Sequence, residues 1–228
     1  MICPKAILHN RFDFEIYDKT TGKTEYAKAE NIVLNNMWTQ LCASSGYFGY
    51  IGVGTGSGTL SPTRTTLFSH LAYKAATSVE TVYDTDTTAH ITKKITFDET
   101  EANGTWTEVG ILYGTTVASN YVTHALITDS EGNSITVNKT NTKVITVYAT
   151  VFAELLDPTS GQYNSALGDR NAILKTLMAE NLNGGFAYTA LLRPDGAPAM
   201  LWTTYTANLN FNSDAANKRK YTPLVRLS

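Results

Sequence analysis

The sequence is short of charge, of cysteine and of long apolar runs, and each shortage excludes a class of protein. Only 17% of the residues are charged and the net charge is −2, so we expect no basic surface for nucleic acid. The 2 cysteines are too few for a disulfide framework and form no Cys-x-x-Cys zinc motif, and the sequence leaves open whether Cys3 and Cys42 pair. No apolar run is long enough to span a membrane, and the first residues lack the apolar core of a signal peptide. We expect a protein made in a cytoplasm, with neither nucleic acid nor membrane as its partner.

Uncharged polar residues take the place of the missing charge. Threonine, asparagine and serine are frequent, and there are 13 tyrosines. Threonine and tyrosine favour half-buried pleated surfaces, so the composition indicates a β-rich protein. A neutral polar surface suits extensive contact with neighbouring proteins, because few ions lose water when the contact forms.

Alternating apolar and polar residues predict a series of strands. Phe12–Tyr17 alternates in this way, and the turn at Asp18–Lys23 predicts a hairpin with Thr24–Lys28. Further extended segments are predicted at Ala72–Tyr83, His90–Asp98, Thr105–Tyr113, Asn120–Thr128 and Lys143–Leu155. Short helices are predicted at Met37–Cys42 and, as a single turn, at Thr66–Leu71. Strands at this spacing, joined by glycine, asparagine and aspartate turns, predict an antiparallel β-sandwich over residues 1–156.

The composition changes at Asp157-Pro158, and we predict a C-terminal extension or small subdomain over residues 157–228 that packs on the sandwich. Its clearest feature is a helix at Asp169–Asn181, with an apolar stripe formed by Ile173, Leu174, Leu177 and Met178. Phe186–Leu192 and Leu201–Phe211 are predicted strands that rejoin the sheet or form part of the subdomain. The predicted fold is therefore mainly β, with a few short helices and a helix-containing C-terminal extension.

The stretch Tyr47–Leu67 runs from an aromatic strand into a loop with glycines at alternating positions. Two interpretations compete: a phosphate-binding loop, or a loop that a β-sandwich presents to a partner. No lysine follows Gly58, the glycine spacing does not fit a dinucleotide fingerprint, and no helix follows directly to bind phosphate. We therefore predict a protein-contact loop, with the candidate residues Gly52, Gly54, Thr55, Gly56, Gly58 and Pro62.

No set of residues in the sequence predicts catalysis, a cofactor or a metal. The four histidines, His9, His70, His90 and His124, form no close ligand pair, and we interpret them as surface residues of strands or loops. The acidic groups at Asp84–Asp86 and Asp98–Glu101 lack the ligand spacing of an EF-hand, so solvated turns are favoured over calcium sites. No Gly-x-Ser-x-Gly elbow is followed by a usable acid and histidine. We predict a protein that is not an enzyme.

A set of aromatic residues leaves three interpretations open. The set comprises Tyr47, Phe48, Tyr50, Trp106 and Tyr113. Rings of this kind form platforms for sugars, anchors at protein interfaces, or parts of a core. Core packing is favoured for Trp106.

Two motifs, in their order along the chain, resemble a known family. The first is the loop sequence IGVGTGSGTLSPTRTTL, and the second is ETEANGTWTEVGILYG, followed by a strand, a polar turn and a Thr/Val-rich strand. This order is similar to that of tailed-bacteriophage structural proteins of the tail, baseplate and fibre attachment, over about Tyr47 to Phe152. The resemblance implies a virion protein of the tail that is made in the host cytoplasm, forms a ring or trimer and contacts other virion proteins.

Glu108 and Trp106 belong to the second motif and are candidates for a structural latch. Glu108 is an acid on an otherwise apolar strand, and we predict that it satisfies backbone donors near the glycine loop. The alternative function is a host-recognition module that binds surface glycan through the aromatic set and exposed loops. A cell-wall hydrolase is a third hypothesis, but no residue set favours it.

Overall fold

The computed structural model describes residues 5–42, 46–85, 87–156 and Met178. Within them the chain forms the helix α1 and eleven strands. The elements are β1 (Lys5–Asp18), β2 (Lys23–Val33), α1 (Asn35–Cys42), β3 (Tyr50–Gly54), β4 (His70–Ala75), β5 (Thr77–Tyr83), β6 (Thr88–Phe97), β7 (Gly104–Trp106), β8 (Glu108–Leu112), β9 (Thr123–Leu126), β10 (Val137–Lys139) and β11 (Lys143–Leu156). The prediction of a mainly β, antiparallel fold is confirmed.

Nine of these strands form one curled antiparallel sheet, in the order β4-β3-β8-β9-β2-β1-β11-β6-β5. The strand β2 belongs to both halves of this sheet, since it pairs with β1 over most of its length and with β9 through Asn31–Val33. The two edge strands of the sheet, β4 and β5, are consecutive in the sequence, with only Ala76 between them. The N–H of Ala76 donates to the Gly49 carbonyl at 2.9 Å. The two layers of the predicted sandwich are therefore the two halves of a single sheet.

One hydrophobic core lies between the two halves. On β11 the residues at odd positions, from Ile145 to Ala153, are buried, because side chains of a strand alternate between the faces of the sheet. They share a cluster with Phe12 and Phe14 of β1 and with Val53 and Ile111 of the opposite half. Burial on this scale stabilises the fold by about 25 cal/mol per Å² of apolar surface removed from water.

The predicted elements differ from the observed ones at several points. The single helical turn predicted at Thr66–Leu71 is wrong, because this segment is irregular up to Ser69 and β4 begins at His70. The strand predicted at Thr105–Tyr113 is broken at Thr107 into β7, which pairs with β10, and β8, which joins the nine-stranded sheet. The strand predicted at Asn120–Thr128 is shorter, and β10 was not predicted.

The predicted C-terminal extension over residues 157–228 lies outside the described residues, with the exception of Met178. Met178 is helical, is 4% exposed and belongs to the core cluster. The strands predicted at Phe186–Leu192 and Leu201–Phe211 lie outside the described residues.

Candidate functional site

The glycine loop leaves the sheet after β3 and returns to it at β4. These two strands are antiparallel neighbours, so the loop begins and ends at the same end of the sheet. Of the predicted contact residues, Gly52 and Gly54 are buried in β3, Gly56 is half-buried, and Thr55, Gly58 and Pro62 are exposed. The exposed part of the loop also includes Ser57, Thr59 and Thr63. Only part of the predicted contact set is therefore accessible to a partner.

The side chain of Glu108 connects the two arms of this loop. Glu108 opens β8 opposite Gly54 and is 0% exposed. Its Oε1 accepts hydrogen bonds from the backbone N–H groups of Gly56 at 2.9 Å and Ser69 at 2.8 Å. Its Oε2 accepts from the N–H of Phe68 at 2.8 Å. These are contacts of the kind that the sequence predicts for Glu108, and they provide for donors that no strand or helix satisfies.

A buried histidine completes the surroundings of this carboxylate. The Nε2 atom of His124, on β9, lies 2.7 Å from Oε2 of Glu108, and both side chains are fully buried. The His124 ring also packs on Phe68, with 4.8 Å between the ring centroids. Burial alone would raise the pKa of Glu108. The hydrogen bonds from His124, Ser69, Phe68 and Gly56 together outweigh this effect, so the pKa of Glu108 lies below its ordinary value. An ionised carboxylate only accepts hydrogen bonds, so His124 carries a proton on Nε2.

The interpretation of His124 as a surface residue is wrong. Its imidazole is enclosed between β8 and the loop, where the Glu108 carboxylate provides its polar partner. The sequence holds a signal for this, because His124 lies among apolar residues of the predicted strand Asn120–Thr128. The structure buries every residue from Tyr121 to Ala125, and a polar side chain in such a run needs a partner. Its Nδ1 atom is buried and has no hydrogen-bond partner among the described residues.

The alternating glycines face this buried network. Residues two apart in an extended chain point to the same side, and here that side is filled by Tyr121, Glu108 and Phe68. A Cβ atom at Gly54 would lie 2.5 Å from both Oε1 of Glu108 and the carbonyl oxygen of Ser69, which is closer than real atoms approach. These glycines therefore also have an internal role, since they leave room for the side chains of this network. Thr55 and Ser57, which lie between these glycines, are exposed.

A second polar pair fixes the returning arm of the loop. The Tyr121 hydroxyl is 2.7 Å from Nδ1 of His70, and the Tyr121 side chain is fully buried. Burial and the nearby Glu108 carboxylate raise the pKa of Tyr121 far above its ordinary value, so the phenol stays protonated. Burial lowers the pKa of His70, although Glu108 opposes this shift. The backbone N–H of Tyr121 also donates to the Thr65 carbonyl at 3.1 Å, which ties the arm to the sheet.

Trp106 is a core residue. Its ring is 0% exposed and meets Phe97 edge to face at 5.2 Å, and its Nε1–H donates to the Ala102 carbonyl at 2.8 Å. The neighbouring Thr107 contacts the loop. Its N–H donates to the Gly54 carbonyl at 2.9 Å and its hydroxyl to the Gly56 carbonyl at 2.6 Å. Sequence reasoning missed Thr107, since threonine is common throughout this chain.

The aromatic set does not form a sugar platform. Tyr47, Phe48 and Trp106 are fully buried, and only Tyr50 and Tyr113 are partly exposed. Sugars bind to exposed ring faces, so the interpretation of this set as a glycan-binding surface is corrected to core packing for the three buried rings.

The acidic turn predicted at Asp98–Glu101 is neutralised by lysines. Glu99 pairs with Lys19, and Glu101 lies 2.8 Å from Lys74. Among the residues that the structure describes, no three histidine, cysteine, aspartate or glutamate side chains lie close enough together to hold a metal ion. The helical residues in the same ranges include no segment with the length and apolar character of a membrane-spanning helix.

Comparison with known proteins adds no relative. The chain matches no protein-family model, no curated protein and no solved structure.

Proposed function

We propose that the protein is a non-enzymatic structural component of a tailed-bacteriophage virion, in the tail or in a baseplate or fibre attachment. The observation that carries the proposal is the combination of an exposed outer loop with a buried anchor. The loop residues Thr55, Thr59 and Pro62 are exposed, while Glu108 holds both arms of the same loop through backbone N–H groups. A loop that is already ordered loses little conformational entropy when it binds a partner.

The sequence supports the same proposal in two further ways. The order of the motifs around Gly52 and Glu108 resembles phage tail and baseplate proteins. Only 17% of the residues are charged, so a large interface would remove few ions from water. The expected partners are other virion proteins and further copies of this chain in a ring or trimer, and the expected location is the virion tail, after synthesis in the host cytoplasm.

The edges of the sheet support assembly as well. The strand β5 lies at one edge, and most of its residues are exposed, including Val79 at 48% and Tyr83 at 42%. An edge strand with free backbone groups is a ready partner for a strand of another chain. Such pairing uses neutral backbone groups, in keeping with the low charge of the surface.

Mass spectrometry of purified particles tests the proposal directly. We expect the protein in intact particles at a copy number that fits a ring or trimer, and size-exclusion chromatography of the isolated protein should show an oligomer. A lone monomer that is absent from purified particles would contradict the proposal. The copy number also separates a low-copy tail part from an abundant sheath or shell part.

The alternative function is recognition of host glycan by the same virion protein. Three of the five rings of the aromatic set, those of Tyr47, Phe48 and Trp106, are fully buried and cannot contact a glycan. A different surface, on the outer face of the sheet, carries groups suited to sugars.

A further inference from the structure

The outer face of β1, β11, β6 and β5 carries its side chains in rows that run across the strands. The pairing register places Phe152 between His9 and His90, and it places Tyr148 two rows further along, next to Lys94. Each of these two rows contains an aromatic ring. The row between them reads Arg11, Thr150, Thr92 and Glu80, from β1 to β5.

The middle row forms the floor of a groove across the strands, because threonine is shorter than the aromatic side chains beside it. We call this feature the transverse groove; Arg11, Thr150, Thr92, Glu80, Tyr148 and Phe152 are among its lining residues. It crosses three strand spacings and is therefore about 14 Å long, and the Cα atoms of Tyr148 and Phe152 are about 13 Å apart along β11. Its volume of 460 Å³ is typical of sites for small ligands, which range over roughly 300–1,000 Å³.

The floor and the ends of the groove have hydrogen-bonding capacity to spare. The hydroxyls of Thr92 and Thr150 lie 3.0 Å apart, and within the described part of the chain the bond between them leaves one hydrogen and several lone pairs without a partner. At one end, Nε of Arg11 donates to Asp13 at 2.8 Å, which leaves the remaining donors of the guanidinium for another partner. The side chains of Arg11 and Glu80 are 49% and 53% exposed, so both are accessible from solvent.

Several contacts hold the walls of the groove in place before any ligand binds. The His9 ring stacks on Phe152 with centroids 4.6 Å apart and an angle of 7° between the planes. The Nδ1–H of His90 donates to the Asp84 carboxylate at 2.8 Å, and the His90 ring tilts against Phe152 with 5.6 Å between the ring centroids. Tyr148 has Lys94 Nζ at 5.9 Å from its ring centroid. A wall that is already ordered lowers the entropic cost of binding.

These features select among ligand classes. A sheet face presents few backbone groups to a ligand. The N–H and C=O groups of β11 and β6 pair with neighbouring strands on both sides, and the free groups of the edge strand β5 point along the edge of the sheet, so an extended peptide lying across the face would lack main-chain partners. Three carboxylates and two cations lie in and around the groove, and this excess of negative charge disfavours an anionic ligand; the groups are Asp13, Glu80 and Asp84 against Arg11 and Lys94. A neutral ligand with many hydroxyls meets both donors and acceptors on the floor, and its C–H faces fit against aromatic walls.

We propose that the transverse groove binds a short neutral oligosaccharide. Its sugar rings lie between the Tyr148 and Phe152 walls, and its hydroxyls pair with the threonine floor and with Arg11 and Glu80 at the ends. This goes beyond an assembly role, which requires no saccharide site. It places glycan binding in the transverse groove and not at the aromatic set, which is largely buried.

The test measures the binding of defined trisaccharides to the full chain by calorimetry and by saturation-transfer NMR. Maltotriose, chitotriose and mannotriose are the neutral probes, with sialyllactose as the anionic probe and tetra-alanine as the peptide probe. We expect saturable binding of at least one neutral trisaccharide, and no binding of sialyllactose or tetra-alanine. Failure of all three neutral trisaccharides to bind at millimolar concentration overturns the proposal, as does a preference for sialyllactose or the peptide.

Two variants locate the bound sugar. Tyr148→Ala should weaken binding about tenfold, a change that corresponds to about 1.4 kcal/mol. Tyr26→Ala is the matched control, because Tyr26 is a 77% exposed tyrosine on β2, outside the groove, and should leave the affinity unchanged. If Tyr148→Ala unfolds the chain, Arg11→Ala at an exposed position gives a second reading, with a several-fold loss expected.

The outcomes separate this proposal from the virion role. Unchanged sugar affinity in a folded Tyr148→Ala or Arg11→Ala variant overturns the groove as the site. Incorporation of these variants into particles should stay normal, since Arg11 lies on β1 and Tyr148 on β11, outside the loop and the edge strand β5 that the assembly role uses. Sugar binding can therefore fail while assembly stands, and the reverse.

Discussion

Replacement of Glu108 by glutamine should destabilise the protein strongly, although it changes one oxygen to an amide nitrogen and removes no volume. Four donors converge on the two oxygens of Glu108: the N–H groups of Gly56, Phe68 and Ser69, and the Nε2–H of His124. Glutamine keeps one acceptor oxygen and introduces two new donors. The loop then loses part of its anchor in the variant.

The magnitude follows from the donors left without an acceptor. In the better orientation, the glutamine oxygen keeps the bonds to Gly56 and Ser69, and its NH₂ group faces the N–H of Phe68 and His124 Nε2. His124 can accept a bond there only by moving its proton to Nδ1, which has no partner among the described residues. Two buried donors therefore lose their acceptors, at a cost of about 1–3 kcal/mol each, or roughly 2–6 kcal/mol together. The middle of that range lowers the Tm of a chain of this size by about 8–16 °C.

Thermal and urea unfolding of Glu108→Gln, with amide hydrogen exchange, measures this effect. We expect the lower Tm together with faster exchange at Gly56, Phe68 and Ser69. Glu25→Gln is the control, because Glu25 is 70% exposed and lies 3.9 Å from Lys143, so its loss should change the unfolding free energy by less than about 1 kcal/mol. If Glu108→Gln melts with the wild type and keeps its exchange protection, the reasoning about the latch is refuted.

Three further predictions rest on the same region. The pKa of Glu108 in the folded protein lies below its ordinary value of 4.5, so ionised Glu108 stabilises the fold above pH 4.5, and this stabilisation is lost as the pH falls through the folded pKa. The difference in unfolding free energy between wild type and Glu108→Gln should therefore become smaller in acid. A difference that does not change with pH would contradict this. Gly54→Ala should lower the free energy of unfolding in urea by about 1–3 kcal/mol through overpacking. The loss should exceed that of Gly49→Ala, whose Cβ would lie 3.2 Å from its nearest neighbour. Equal losses in the two variants would rule out the short Cβ contacts at Gly54 as the cause. Trp106→Phe should cost about 1–3 kcal/mol by the same assay, because it removes the donor to the half-buried carbonyl of Ala102. An unchanged unfolding free energy would show that this bond adds nothing.

The strands could be predicted from the sequence because their periodicity is local. Lys143–Leu155 alternates so regularly that its prediction matches β11 closely, and the turn at Asp18–Lys23 has Gly22 at a φ of 66°, as its position indicates. The curled single sheet could not be predicted, because β2 pairs with β9 as well as with β1. The β1–β2 hairpin is local, but the β2–β9 pairing joins residues far apart in the chain. Periodicity specifies which face a residue occupies but not which strand lies next to it.

The candidate site could also be predicted only in part from the sequence. An acid on an apolar strand predicts that Glu108 needs donors, because a buried carboxylate is costly without partners. The identity of those partners depends on how the chain folds back. His124 is 16 positions away and the segment Thr66–Ser69 about 40, and nothing local indicates that either meets Glu108. The helical turn predicted at Thr66–Leu71 failed for this reason, since the N–H groups of Phe68 and Ser69 bind the carboxylate instead of forming helical bonds.

Photo-crosslinking from the exposed loop tests the central claim most directly. A photoreactive residue in place of Thr59, in protein incorporated into particles, should form a covalent link to another virion protein or to a second copy of this chain. The same residue in place of Glu131, on an exposed turn elsewhere, is the control, and the Glu108→Gln background should reduce the yield from position 59. Particles that contain the protein but give no cross-link from position 59 would contradict the claim that the loop anchored by Glu108 is a protein contact.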